Sequence, residues 1–206
     1  MHTEIFNSEQ VELLPYIKDF QRSFYMVGGT AIALHLGHRR SIDFDLFTLT
    51  QLNKSRIKRK LIPISFKQVP IFEDIDQLHL LINNVKVTFF SYPYPVLHPV
   101  KVSSTITIPS LLSLAAMKAF ALGRRAKWKD YVDLYFIIRD HYPIEDICRE
   151  AEKIFNQQFS GKLFRQQLAF HKDIDYSEAV EFLIPPVADH EIKSYLIDKA
   201  MDIFGD

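Results

Sequence analysis

Gly28-Gly29-Thr30, followed after a short apolar segment by Ser41-Ile42-Asp43-Phe44-Asp45-Leu46, constrains the fold more than any other part of the chain. Successive side chains on a strand point to opposite faces, so Asp43 and Asp45 share one face, roughly 6.5 to 7 Å apart along the chain. Ile42, Phe44 and Leu46 then point the other way, into a core. Glycines without a Cβ let backbone amides approach a phosphate closely. The segment 30–36 reads as a short helix with Thr30 as its N-cap, an end that favours anions. A plain strand-to-helix turn and a pair of solvated acids would give the same local text. Taken together, the turn and the two carboxylates point to the handling of a metal-bound nucleotide.

Apolar spacing through Val11, Leu14, Ile17 and Phe20 predicts a helix over 8–20, kinked or broken at Pro15. A short strand over 23–27 leads to the glycines, the carboxylate strand occupies 41–47, and a helix over 51–61 is closed by Pro63. Apolar runs at 64–72 and 78–82 precede the turn Asn83-Asn84 and a strand at Val85–Ser91, which reads as an antiparallel hairpin. Two prolines in Tyr92-Pro93-Tyr94-Pro95 end the sheet. Beyond Ser110 the pattern is helical, at 111–122, 128–139, 144–155, 163–170 and 189–204. The fold class is therefore α+β: a small mixed sheet with helices in residues 1–105, then a helical domain over 106–206, with a cleft expected between them.

Acidic and basic residues balance at 25 each, which argues against the pervasive positive field of a nucleic-acid coat protein. Two basic runs stand out locally: Lys54, Arg56, Lys58, Arg59 and Lys60, and then Arg124, Arg125, Lys127 and Lys129. The first reads as a solvated helix face opposite Leu52, Ile57 and Leu61, or alternatively as a contact for RNA or an acidic partner. No apolar run approaches the roughly 18 to 20 residues needed to span a bilayer, and the start lacks an export signal, so no membrane and a cytoplasmic location are expected. Cys148 is the sole cysteine, which excludes an internal disulfide.

The glycine pair followed by Asp-x-Asp on a strand resembles the first motif of the DNA polymerase beta-like nucleotidyltransferases. Residues 28–47 are similar in particular to the AbiEii/AbiGii toxin branch. A second block, with Lys118 in Ala115-Ala116-Met117-Lys118, then Arg124-Arg125 and Lys129-Asp130-Tyr131-Val132-Asp133-Leu134-Tyr135, resembles that branch's lysine, arginine and Lys-Asp-x-x-Asp-Leu pattern. The two blocks lie between about residues 25 and 138. The resemblance implies a nucleotidyltransferase-like catalytic domain and a helical domain completing the cleft. It also implies Mg²⁺-dependent transfer of a nucleotidyl group from an NTP to RNA such as tRNA, to a protein or to a small acceptor. The role implied is that of a toxin in a toxin–antitoxin or phage-defence pair, with an antitoxin protein as partner.

On this reading Asp43 and Asp45 hold the metal, Gly28, Gly29 and Thr30 form the phosphate turn, and Ser41 and Arg39 offer phosphate contacts. The alternatives are an N-cap role for Thr30, a strand-start role for Ser41 and a surface loop for Arg39 and Arg40. Lys118, with Arg124, is implied as a triphosphate ligand; without the resemblance it would simply snorkel from a core edge. Asp130 and Asp133 share a helix face, and either serves as the functional acid, Asp130 matching the Lys-Asp element. Relatives place a third carboxylate on the hairpin strand where this chain has Thr88, with Lys86 on the same face and Glu73, Asp74 and Asp76 in an expected loop nearby. A hydroxyl cannot replace a carboxylate as a base. A degenerate NTP-binding or regulatory module therefore stands as the alternative to the enzyme.

Overall fold

Phe44, Leu46 and Thr48 are buried and alternate with half-buried Asp45 and Phe47, a period-two pattern that makes this segment the second strand of the computed structural model. The structure describes residues 1–202, and the chain divides into two compact units, Met1–Ser110 and Leu111–Asp206.

In the first unit, α1 (Ser8–Ile17) is opened by a capping box, Asn7 accepting from the Gln10 amide while the Gln10 side chain accepts from Asn7. Pro15 falls in its last turn and does not break it; a 3-10 turn, Lys18–Phe20, continues the path. The buried side is Gln10, Leu13 and Ile17, followed by Phe20, and not the stripe through Val11 and Leu14 that spacing suggested. The helix is turned so that Gln10 points inward and donates to the Ser41 carbonyl at 3.0 Å. Then follow β1 (Tyr25–Val27), α2 (Gly28–Leu36), β2 (Phe44–Thr48), α3 (Lys54–Leu61), β3 (Gln68–Asp74), β4 (Gln77–Ile82) and β5 (Val85–Ser91).

These strands form a five-stranded sheet in the order β1-β2-β5-β4-β3, with β2 and β5 parallel and the other pairs antiparallel. Asn83 and Asn84, at φ of 50° and 61°, take the left-handed conformations of a tight hairpin turn, as asparagine tolerates. Phe20, Phe24 and Phe89 meet beneath the sheet, with ring centroids 4.8 to 6.0 Å apart. β3 is an edge strand with a register shift between Pro70 and Phe72, and it leaves Val69, Ile71 and Phe72 exposed. Two expectations are corrected here. The proline-rich segment does not end the β structure, because β6 (Val100–Val102) and β7 (Ile106–Ile108) pair antiparallel as a second, two-stranded sheet. Glu73 and Asp74 lie on β3 and not in a loop, Glu73 being ion-paired to Lys58 at 2.7 Å and Lys54 at 3.6 Å.

The second unit is helical: α4 (Leu111–Leu122), α5 (Trp128–Asp140), α6 (Ile144–Phe155), α7 (Gly161–Ala169) and α8 (Asp189–Met201). Ile144, Ile147, Ala151 and Ile154 put the apolar stripe of α6 inward, and Phe155 stacks on Phe120 with centroids 3.9 Å apart. The Tyr131 hydroxyl donates toward the Gln167 and Phe170 carbonyls at the end of α7, both at 3.2 Å. The expected helix over 189–204 includes Ile203 and Phe204, which lie outside the described residues. A mixed sheet with helices, followed by helices, is the α+β class read from the sequence. No helix among the described residues is long and apolar enough to cross a membrane.

Candidate active site

Gly28 is the first residue of α2, in the left-handed region at φ +74°, and a Cβ placed on it would overlap Oδ2 of Asp45. Register explains the approach: Val27 on β1 is paired with Asp45 on β2, so the residue after Val27 turns across the aspartate. The Asp45 carboxylate therefore lies flush against the start of a helix. Gly29 is packed from another direction, since a Cβ there would stand 2.7 Å from Arg39 Nη2 and 3.0 Å from Ser41 Oγ. The glycine pair is thus flanked by a carboxylate, a guanidinium and a hydroxyl. The first amides of α2 emerge among them without intrahelical partners.

Thr30 is not the N-cap. Val27 holds that position without a side-chain bond, and Thr30 sits buried in the first turn. Its hydroxyl donates to the Asp43 carbonyl at 2.5 Å and lies 3.0 Å from the Ser41 hydroxyl. With the Gln10 bond to the Ser41 carbonyl, this pins the chain just before β2 to two helices. The strand begins at Phe44, so Asp43 belongs to the segment leading into it and Ile42, expected in the core, is 44% exposed. Asp43 and Asp45 are both half-buried. Arg39 is not on a surface loop: it is 2% exposed, and its Nη1 donates to the Arg40 carbonyl at 3.0 Å. Arg40 reaches back to the Ile5 carbonyl at 3.1 Å.

Thr88 is paired with Asp45 across the parallel strands β2 and β5, and with His79 across β5 and β4. Paired residues share a face, so Asp45, Thr88 and His79 form one row. The Thr88 hydroxyl is buried and makes no hydrogen bond. His79 lies against Gln77 Oε1 at 2.9 Å, and burial, with the Lys86 charge adding to it, holds its pKa below the usual imidazole range. His79 had no sequence signal, because a lone histidine in an alternating strand looks like any half-exposed position.

The other motif forms its own cluster in the helical unit. Lys118 of α4 is 6% exposed and donates to Asp130 at 2.7 Å, with Asp133 3.1 Å away; both aspartates are on α5, one turn apart, and Asp133 is fully buried. The expected sharing of a face by Asp130 and Asp133 is realised, and a single ammonium bridges them. Arg125, exposed along half its side chain, adds a bond from Nε to Asp130 at 3.1 Å. Arg124 takes a different place, its guanidinium 3.8 Å from the Phe120 ring centroid. Lys127 and Lys129 both pair with Glu178.

A family model described as "Nucleotidyl transferase AbiEii toxin, Type IV TA system" matches residues 82–200, more than half of the chain. The match takes in Thr88, Lys118, Arg124, Asp130 and Asp133, and begins after the glycine turn. An uncharacterized protein of Aquifex aeolicus strain VF5 is 33% identical over 165 residues, covering 78% of this chain and 72% of that protein. Among solved structures the chain is similar to MenT4, a nucleotidyltransferase toxin of Mycobacterium tuberculosis H37Rv. That likeness has a TM-score of 0.62 at 14% identity and covers 93% of this chain and 80% of that one. JHP933 of Helicobacter pylori is similar with a TM-score of 0.56 at 16% identity, over 93% of this chain and 88% of that one. At such identities the likeness speaks for the fold alone. The family match and the fold agree: the chain belongs to the AbiEii nucleotidyl transferase toxin family of type IV toxin–antitoxin systems.

Proposed function

We propose that this nucleotidyltransferase moves a nucleotidyl group from an NTP to an RNA, protein or small acceptor with Mg²⁺ as its cofactor, as the toxin of a pair whose antitoxin is a separate protein. The single observation carrying this reading is the seating of the Asp45 carboxylate against Gly28 at the start of α2. A carboxylate set beside the N-terminal end of a helix suits a phosphate that arrives with its own cation.

The donor set fits Mg²⁺. Asp43 and Asp45 offer hard oxygens, and the unbonded Thr88 hydroxyl is a further oxygen in the same row. Among the described residues no group of three or more histidine, cysteine or acidic side chains is gathered for a metal. Mg²⁺ is an ion that takes one or two carboxylates and completes its shell with substrate phosphates and water. The ion would supply charge neutralisation at the phosphates. Gly28 and Gly29 keep the helix amides open to the phosphates, while Arg39 and Ser41 beside Gly29 offer a cation and a donor. Thr30 is a positioning residue that holds Asp43 through its backbone. Lys118, Arg124 and Asp130 are proposed as a second set that supports transfer.

Incubation with α-labelled NTPs, Mg²⁺ and total RNA or protein is expected to label an acceptor, and Asp45→Asn is expected to abolish the label while the fold persists by circular dichroism. Equal labelling by wild type and Asp45→Asn would remove the enzyme reading. The second reading, an NTP-binding module without transfer, is favoured by Thr88 standing where a carboxylate would face Asp45. Calorimetry showing Mg²⁺-dependent NTP binding without labelling would decide for it.

A further inference from the structure

The formal charge of the chain is zero, yet one part of the first unit carries a single sign. Three clefts there run into one another through shared walls. The first, about 160 Å³, lies beside the start of α3 and is bordered by Phe20, Thr48, Arg56 and Lys60. The second, about 290 Å³, shares Ser23, Phe24, Thr48 and Thr50 with the first and adds Arg22, Tyr94 and His98. The third, about 430 Å³, joins the second at Gln21 and is bordered by Lys18, Lys101 and Thr107. No aspartate or glutamate lines any of the three, whereas five lysines and arginines do. Asp19, in the same turn as Lys18, gives its backbone carbonyl to Lys60, and its side chain lines none of them.

We infer that this connected, carboxylate-free track is a docking surface for a single-stranded segment of RNA. The shape argues for a polymer, because three shallow linked depressions match a chain of repeating units better than one compact anion. The sign of charge selects a polyanion. Aromatic groups select a nucleic acid: Tyr94 lines the middle cleft beside a stacked pair, Tyr25 on His98, whose rings are 4.4 Å apart and 5° from parallel. Such rings, interleaved with cations and with hydroxyls such as Thr50 and Thr107, are what unpaired bases and sugar–phosphate groups engage. The position agrees as well. Tyr25, which borders the middle cleft, lies two residues along β1 from Val27 and shares the sheet face of Asp45 through its pairing with Phe47, so the middle cleft lies roughly 7 Å of strand from the glycine turn. What the bound strand is for rests on the transferase reading; that it binds does not.

The test is fluorescence anisotropy of a labelled, unstructured RNA titrated with the full chain at rising salt. Binding is expected, with a log–log salt slope of about −3.5 if each of the five track cations meets one phosphate, at about −0.7 per contact. Arg22→Glu with Lys101→Glu, both exposed and off the core, is expected to weaken binding at least about tenfold. The same charge change placed in α6, Arg149→Glu with Lys153→Glu, is expected to leave it unchanged. Tyr94→Ala is expected to weaken binding about tenfold without altering the slope. Absence of binding at low salt, or equal loss in the α6 pair, overturns the inference. So does track-dependent binding to phosphatidylserine vesicles or polyglutamate that exceeds binding to RNA. The two proposals fail separately: RNA that binds through the track but is never labelled removes the transferase reading alone, and RNA labelled undiminished by the Arg22/Lys101 variant removes the track alone.

Discussion

Gly28 and Asp45 share one small volume: the space that a Cβ would take on the glycine is already filled by the aspartate's Oδ2. Gly28→Ala is therefore expected to act twice. The left-handed φ of +74° costs an alanine roughly 1 to 2 kcal/mol, and the methyl pushes the carboxylate away from the start of α2. Nucleotidyl transfer is expected to fall at least about a hundredfold, well beyond the melting-temperature loss. Calorimetric unfolding beside an activity assay at equal folded fraction would show whether the two effects separate as stated.

Lys118 lies between two buried carboxylates, so its removal leaves both without their shared cation. Lys118→Ala is expected to cost about 3 to 5 kcal/mol in urea unfolding. Adding Asp133→Asn is expected to return part of that loss, because the fully buried carboxylate that faced the ammonium is then neutral, while Asp130 keeps Arg125. If Lys118→Ala unfolds like wild type, the cluster is not what holds α4 to α5.

The Thr88 hydroxyl is buried without a bond, a condition that costs about 1 to 3 kcal/mol in mutational series. Thr88→Val keeps the shape and is expected to leave stability equal or higher. Thr88→Asp places a second carboxylate beside Asp45 and is expected to lower the melting temperature in chelator, then to recover it with Mg²⁺ more than wild type does. A thermal shift identical with and without Mg²⁺ in Thr88→Asp would show that this row does not gather a cation.

Burial raises two groups that titrate only in alkali, Tyr25 to about 12 and Cys148 to about 11. Each folded value lies above its unfolded one, so the unfolded chain releases its proton first and stability falls as pH rises. The Cys148 contribution is lost from about pH 9 to 11, and the Tyr25 contribution from about pH 10 to 12. For Tyr25 the loss is about 1 to 3 kcal/mol at its upper limit. Denaturant midpoints across this range are expected to flatten in Tyr25→Phe above pH 10. At pH 8 the Cys148 thiol is expected to react with a thiol reagent at least about tenfold more slowly than in the unfolded chain.

The sequence exposed those features whose cause is local. Asp45 followed from strand alternation, the hairpin from Asn83-Asn84, and the shared face of Asp130 and Asp133 from helical spacing. Whatever depended on distant partners did not show. Thr30 satisfies every local rule for an N-cap, yet Gly28 enters the helix earlier and Thr30 is turned onto Asp43. Arg39 can be read as a loop residue because its burial, with the guanidinium against Gly29, is a tertiary feature that its neighbours in sequence do not encode. The two-stranded sheet after Pro95 consists of three-residue strands, too short to set up a period. The pairing of Thr88 with Asp45 and His79 is a matter of register across β2, β5 and β4, which no single segment encodes.

Pro70 has no amide hydrogen to offer, and the ladder slips immediately after it on the outermost strand. A strand arriving from another molecule would find one donor missing and the next rung out of step. The greasy rim of Val69, Ile71 and Phe72 is thereby denied the backbone zipper by which exposed sheets recruit copies of themselves and turn into fibres.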